Sequence, residues 1–171
     1  MSDRDDELFL VDDDDEDTLA NKYILFLLGD ESYGINIAYV TDIIELQRIT
    51  EVPDMPDYVK GVINLRGKVI PVLDLRLRFG MGEREYDDRT CVIIVRLKEI
   101  SVGFIVDIVS EVHVIPEKSI DPPPAFKAGS GGKKENYIKG LGKVGEEVKI
   151  LIDVEKLVDD EEMSRVKDEA S

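Results

Sequence analysis

YVKGVINLRGKVIPVLDLRLRF, residues 58–79, reads as two short strands joined by a tight turn, with a helical turn after the second. Val62, Ile63 and Leu65 supply one β-rich run, and Val69, Ile70, Val72 and Leu73 the other. Arg66-Gly67 lies between them. Gly67 takes positive φ without steric cost, as a two-residue hairpin or bulged turn requires. Arg66 is thereby placed at a loop tip beside Asn64 and Lys68, as a solvated turn residue or as a contact for a partner. Pro71 inside the second run cannot donate to a ladder and implies an edge or a bulge.

The stretch recurs. Tyr58-Val59-Lys60-Gly61 returns as Tyr137-Ile138-Lys139-Gly140, Val69 as Val148, Asp74 as Asp153, and Leu75–Phe79 as Val154–Val158, always 79 residues on. Two copies are too few for a solenoid, so the chain reads as a duplicated small β module. Asp74 and Asp153 are expected to cap the helical turns that follow them.

Outward from the two copies, Tyr23–Leu28 is a continuous apolar run closed by Gly29-Asp30 and reads as a buried strand, paired with Tyr33–Ile37 in a hairpin. In IAYVTDIIEL, Ile37, Val40, Ile43 and Ile44 fall at helical spacing, which predicts a short amphipathic helix. Val52–Pro56 is a loop and residues 80–88 a polar connector. Thr90–Lys98, Ser101–Ile108 and Val109–Ile115 read as strands. Residues 121–136, with Pro122-Pro123-Pro124 and Gly129-Ser130-Gly131-Gly132, form a loop without periodicity that is expected to be mobile. Strands at short spacing with few helices suggest small β-barrels sharing an apolar seam. The first strand could stay with the first module or cross to the second.

The chain has 171 residues and a formal net charge of -16, unevenly spread. Residues 1–19 hold ten acids and one base, and residues 159–171 six acids and two bases, so residues 20–158 are close to balanced. The expected organisation is an acidic, disordered tail over 1–19, a folded unit over 20–158 and a frayed tail over 159–171. An acidic chain without a basic stripe argues against nucleic acid and anionic membrane as partners. One cysteine excludes an internal disulfide framework and suits a reducing compartment. No run approaches a membrane span, and MSDRDDELFL lacks the pattern of a signal peptide.

Residues for catalysis are scarce. Cys91 leads an apolar run and reads as a buried structural thiol. His113 is the only histidine, which leaves no histidine-based metal cluster, and its alternation with Val112 and Val114 suggests a solvent-facing position. Gly131-Gly132-Lys133-Lys134 lacks the spacing of a phosphate loop and reads as linker. No catalytic residue, metal or cofactor follows, and the composition is that of a surface for protein partners.

GDESYGINIAYVTDI, VKGVINLRGKVIPVLDLRLRFG, VGFIVDIVSEV and the closing YIKGLGKV and ILIDVEKLV together resemble the CheW family of bacterial chemotaxis coupling proteins over about residues 21–160. The resemblance implies two packed SH3-like five-stranded β-barrels with a few short helices, and neither activity nor cofactor. It implies a cytoplasmic adaptor, recruited to membrane-anchored receptor arrays, that bridges the cytoplasmic tips of chemoreceptors to the regulatory domain of the histidine kinase CheA. The residues matching the receptor-binding groove are Gly61, Asn64, Arg66 and Gly67 on one wall and Gly103, Val109 and Val112 on the other. Those matching the kinase contact are Val40, Asp42, Ile43 and Glu45. Two other readings are a scaffold of a related non-flagellar chemosensory pathway and a β-barrel that binds a small ligand.

Overall fold

The computed structural model describes residues 20–123, 137–158 and 166. The acidic segment 1–19, the loop residues 124–136 and most of 159–171 lie outside the described residues. Val166 is fully buried in the largest core cluster, so that position of the C-terminal segment packs on the fold.

Eleven strands are described: β1 (Lys22–Leu28), β2 (Glu31–Asn36), β3 (Val40–Glu45), β4 (Val59–Leu65), β5 (Lys68–Asp74), β6 (Cys91–Leu97), β7 (Ile100–Val106), β8 (Ile108–Val114), β9 (Ile120–Asp121), β10 (Ile138–Val144) and β11 (Glu147–Ile152). Short helices α1 (Leu75–Arg78) and α2 (Val154–Leu157) follow β5 and β11. The strands form two sheets. The first barrel has the order β3-β6-β7-β5-β4, and the second β8-β1-β2-β11-β10-β9. Segment Glu51–Asp57 and connector 80–88 carry no regular structure, as read from the sequence.

The duplication is carried through the whole fold. Asp74 N–H donates to the Tyr58 carbonyl at 2.7 Å, and Asp153 N–H to the Tyr137 carbonyl at 2.7 Å. Both aspartates cap as expected, accepting from Leu77 N–H and Lys156 N–H at 3.2 Å. Gly61 and Gly140 open matching bulges. A Cβ at Gly61 would lie 2.1 Å from the Thr50 carbonyl oxygen, and one at Gly140 2.7 Å from that of Asp121. These close approaches mark where each barrel shuts, Thr50 bridging to Val62 and β9 to β10. The two-residue β9 is thus the counterpart of the Thr50 bridge, and each barrel has five principal strands.

The first hairpin crosses over. β1 and β2 join β8, β10 and β11 in the second barrel, whereas β6 and β7 join β3, β4 and β5 in the first. Each barrel therefore takes a hairpin from one repeat and three strands from the other. Both exchanged hairpins form parallel pairs at equivalent glycines, Val72 opposite Gly103 and Leu151 opposite Gly34.

Exchange explains why β1 and β6 read as unbroken apolar runs. Ile24, Phe26 and Leu28 of β1 meet Ile93, Val95 and Leu97 of β6 in one core between the barrels. On the opposite faces, Tyr23 and Leu25 fill the second barrel and Val92 and Ile94 the first. A strand buried on both faces has no polar phase. Full burial of each of these side chains contributes about 1.5–3 kcal/mol, so the seam outweighs any single polar contact in the fold.

At the centre of the seam Arg78 is flanked by Tyr58 and Tyr137, its guanidinium carbon 4.3 and 4.7 Å from the two ring centroids. Its Nη2 donates to the Leu157 carbonyl at 3.2 Å. Tyr58 and Tyr137 are 79 residues apart, and so are Arg78 and Leu157. Arg78 thus contacts its own counterpart and both members of a matched pair, which places it on the axis relating the repeats.

Several expectations are corrected. The segment predicted as a helix is a 3-10 turn at Ile37–Tyr39 followed by strand β3. Its ladder with β6 slips between Val40 and Asp42. The resulting bulge puts Val40 and Ile43, three residues apart, on one face and mimics helical spacing. His113 is half-buried, opposite Tyr23, while Val112 and Val114 are exposed at 50% and 46%, the reverse of the alternation expected. Cys91 is half-buried, and burial pushes its thiol pKa up. Pro71 lies inside the sheet, but pairing of β5 with β7 begins only at Val72, so its missing N–H removes no bond.

Candidate protein-docking faces

The hairpin at residues 58–79 forms with Leu65 opposite Lys68 and Arg66-Gly67 as the two-residue turn. Both turn residues have positive φ, 52° and 84°, the signature of a type I′ turn. Arginine in this region is strained, and the Asn64 side chain offsets the strain by accepting the Gly67 N–H at 3.0 Å. Asn64, Arg66 and Gly67 are all exposed.

Arg66 is held to the edge strand β3. Its Nη1 donates to Asp42 Oδ2 at 3.2 Å and its Nη2 to Asp42 Oδ1 at 3.5 Å, a forked pair with side-chain exposures of 70% and 30%. The contact joins a residue matched to the receptor groove with one matched to the kinase contact. On β3, Val40 is half-buried against the seam, Ile43 is 42% exposed and Glu45 is exposed. Asn64, Arg66, Gly67, Val40, Asp42, Ile43 and Glu45 are therefore all on the first barrel, with Arg66 in contact with β3.

Val109 and Val112 stand on β8 of the second barrel. They pair with Phe26 and Ile24, as Val40 and Ile43 pair with Val95 and Ile93. Both pairs are related by 69 residues, the offset that also relates β1 to β6. Val109, like Val40, is half-buried against the seam, and Val112, like Ile43, is exposed. Even the bulge is repeated: the Thr41 hydroxyl donates to the Ile94 carbonyl at 3.3 Å and the Ser110 hydroxyl to the Leu25 carbonyl at 3.0 Å. Each barrel thus presents an edge strand with one aliphatic side chain tucked into the seam and one in solvent.

Gly61 and Gly103 have a different place. Both are buried, Gly61 against the Thr50 backbone. A Cβ at Gly103 would lie 2.7 Å from Val92 Cγ1 and 2.9 Å from Val72 Cγ1, inside the first barrel. Both glycines are packed against their own chain.

The model of the CheW-like domain family matches residues 22–162. The chain belongs to the CheW-like family. It is 39% identical over 150 residues to the chemotaxis protein CheW of Klebsiella aerogenes, covering 88% of this chain and 89% of that one. It is 36% identical over 154 residues to that of Bacillus subtilis, covering 88% and 96%. The crystal structure of scaffolding protein TtCheW from Thermoanaerobacter tengcongensis is similar at a TM-score of 0.71 and 37% identity, over 78% of this chain and 89% of that one. CheW-like membership makes the chain a chemotaxis coupling, or scaffold, protein, and the family is one of adaptors rather than enzymes. Among the described residues no helix is long and apolar enough to cross a membrane.

One buried polar cluster escaped the sequence reading. Asp107 lies within the span read as a strand over residues 101–108, yet it is 7% exposed and accepts from two arginines and a backbone N–H. The usable signal was position: an aspartate inside the apolar run Val102–Val109 must be satisfied by buried partners.

Proposed function

We propose that the chain couples chemoreceptors to the histidine kinase CheA, with β8 of the second barrel serving the receptor tips and β3 of the first barrel serving the kinase regulatory domain. The observation that carries this reading is the matched pair of edge strands, each with an exposed branched side chain beside a valine half-buried against the seam. An adaptor needs two separate faces on one rigid body, and the duplicated barrel supplies them. Ile43 and Val112 are small apolar knobs suited to an amphipathic helix or a second β surface. Arg66, exposed and paired with Asp42, is placed to exchange that carboxylate for one on a partner. The unit works in the cytoplasm at the receptor arrays.

Titration of a receptor-tip hairpin and of the kinase regulatory domain against wild type, Ile43→Asp and Val112→Asp tests it. Both sites are exposed, so neither change opens a cavity. Val112→Asp is expected to weaken the receptor hairpin selectively and Ile43→Asp the kinase domain, each by at least the ~1.5 kcal/mol that burial of such a side chain supplies. Full affinity for both partners in both variants would refute the assignment.

A further inference from the structure

The chain passes from the first barrel to the second through a single residue, Asp107, between β7 and β8. Its Oδ2 accepts three hydrogen bonds of 2.8 Å, from Gly29 N–H, Arg76 Nη1 and Arg84 Nη1. Gly29 belongs to the β1–β2 turn of the second barrel. Arg76 belongs to α1, and Arg84 to the connector after it. Arg76 is itself fixed, its Nε donating to the Gly82 carbonyl at 3.1 Å, and Arg84 Nη2 reaches Asp87 at 3.3 Å. One buried carboxylate therefore ties both barrels and the connector at the residue that launches β8.

The other crossover, Ile37–Tyr39 between β2 and β3, is held differently. Asn36 donates to the Ala20 carbonyl at 2.7 Å and accepts the Ala38 N–H at 2.9 Å. The Tyr39 hydroxyl donates to Glu155 at 3.0 Å in an exposed contact. Glu155 is the counterpart of Arg76, 79 residues on. Each short helix thus reaches a crossover, but only the Asp107 contact is charged on both sides and buried.

We infer that Asp107 is a positioning residue for the receptor face: its carboxylate sets where β8, and with it Val109 and Val112, stands relative to the first barrel. This rests on the assignment of β8 to the receptor. Apolar seams are non-directional and tolerate sliding. Guanidinium–carboxylate pairs fix distance and angle. Without the carboxylate, two guanidiniums and a backbone N–H lose their shared partner, and the start of β8 loses its three anchors. The β3 face is launched from the other crossover and does not depend on Asp107.

Asp107→Asn keeps the side-chain shape and removes the charge. The expected result is receptor-hairpin affinity lower by about tenfold, kinase-domain affinity within about twofold of wild type, and faster amide exchange over residues 108–112 with β3 unchanged. Arg84→Gln, which leaves the Arg76 pair, is expected to give a smaller change in the same direction and carries the test where Asp107→Asn does not fold. Two results overturn the proposal: unchanged exchange in β8, or equal loss of both affinities together with a lowered thermal midpoint, which assigns Asp107 to global stability. A wild-type chain that binds no receptor hairpin would instead remove the assignment of β8, while a selective rise in β8 exchange would still support the positioning role of Asp107.

Discussion

Arg66 and Asp42 are joined across 24 residues of sequence by a forked ion pair that runs from the β4–β5 turn to the edge strand β3. The pair is exposed, with one of its two bonds at 3.5 Å, so it contributes on the order of 0.2–1 kcal/mol to the fold. Its larger effect is on geometry. Arg66 is kept against β3 rather than swinging free, and any partner carboxylate that engages it must compete with Asp42.

Competition gives the first prediction. Arg66→Ala should cost the fold no more than about 1 kcal/mol, because the side chain is 70% exposed and its removal leaves no cavity. Binding of the partner that uses Arg66 should fall by about 1.5–3 kcal/mol, and lysine should restore it only in part. Asp42→Asn should act in the opposite sense on that partner, by freeing the guanidinium. Equal affinity in all four proteins, measured by calorimetry, would leave Arg66 as a turn residue only.

Arg66→Gly isolates the backbone. At φ 52° glycine avoids the left-handed penalty of roughly 1–2 kcal/mol, so this variant should be at least as stable as Arg66→Ala despite its more flexible unfolded chain. Urea midpoints for the two variants decide it.

Gly61 and Gly103 predict fold defects rather than interface defects. Gly61→Ala combines φ +142° with a Cβ 2.1 Å from the Thr50 carbonyl, and should lower stability by more than the ~1–3 kcal/mol usual for overpacking. Gly103→Ala meets valine methyls that can shift, and should fall within that range. Partner binding by the fraction that remains folded should be unaffected, which a surface role for either glycine would contradict.

Tyr86 supplies a pH dependence. Its hydroxyl donates to Asp74 at 2.6 Å, and burial, followed by that bond and by the charges of Asp74 and Glu83, raises its pKa above the ordinary 10.0. A folded pKa above the unfolded one means that the contribution is complete below pH 10.0 and is lost as pH rises through the folded value. Stability of wild type should therefore decline more steeply between about pH 9 and pH 11 than that of Tyr86→Phe, with the difference read from denaturant midpoints. Parallel profiles would show that the hydroxyl is not coupled to folding.

What could be read in the sequence was what repeats with identity. The 79-residue offset was visible because Tyr58-Val59-Lys60-Gly61 and Tyr137-Ile138-Lys139-Gly140 share side chains at a closing bulge, where Gly61 and Gly140 admit no substitute. The 69-residue offset between β1 and β6, and between β3 and β8, was hidden, because it preserves register and burial rather than residue type. Ile44 and His113 hold equivalent ladder positions and look unrelated. The Thr41 and Ser110 bulges concealed it further, since an inserted residue turns a period of two into a spacing of three, and β3 then reads as a helix. The candidate faces were legible as residues but not as groupings: contact between Arg66 and Asp42 depends on barrel closure, which no local pattern encodes.

Arg78 shows what joining the two repeats in one chain permits. It sits where the two repeats meet on their common axis, so whatever occupies that place in one repeat faces its twin in the other. A pair of separate, identical half-chains would be obliged to bring two arginines, or two leucines, together there. Two guanidiniums would repel between rings that here enclose one cation, and two leucines would leave Tyr58 and Tyr137 without the charge they flank. A fused chain is free of that obligation and places arginine at 78 and leucine at 157. The single cation at the axis is thus an asymmetry that one continuous chain permits and a symmetric pair of identical half-chains does not.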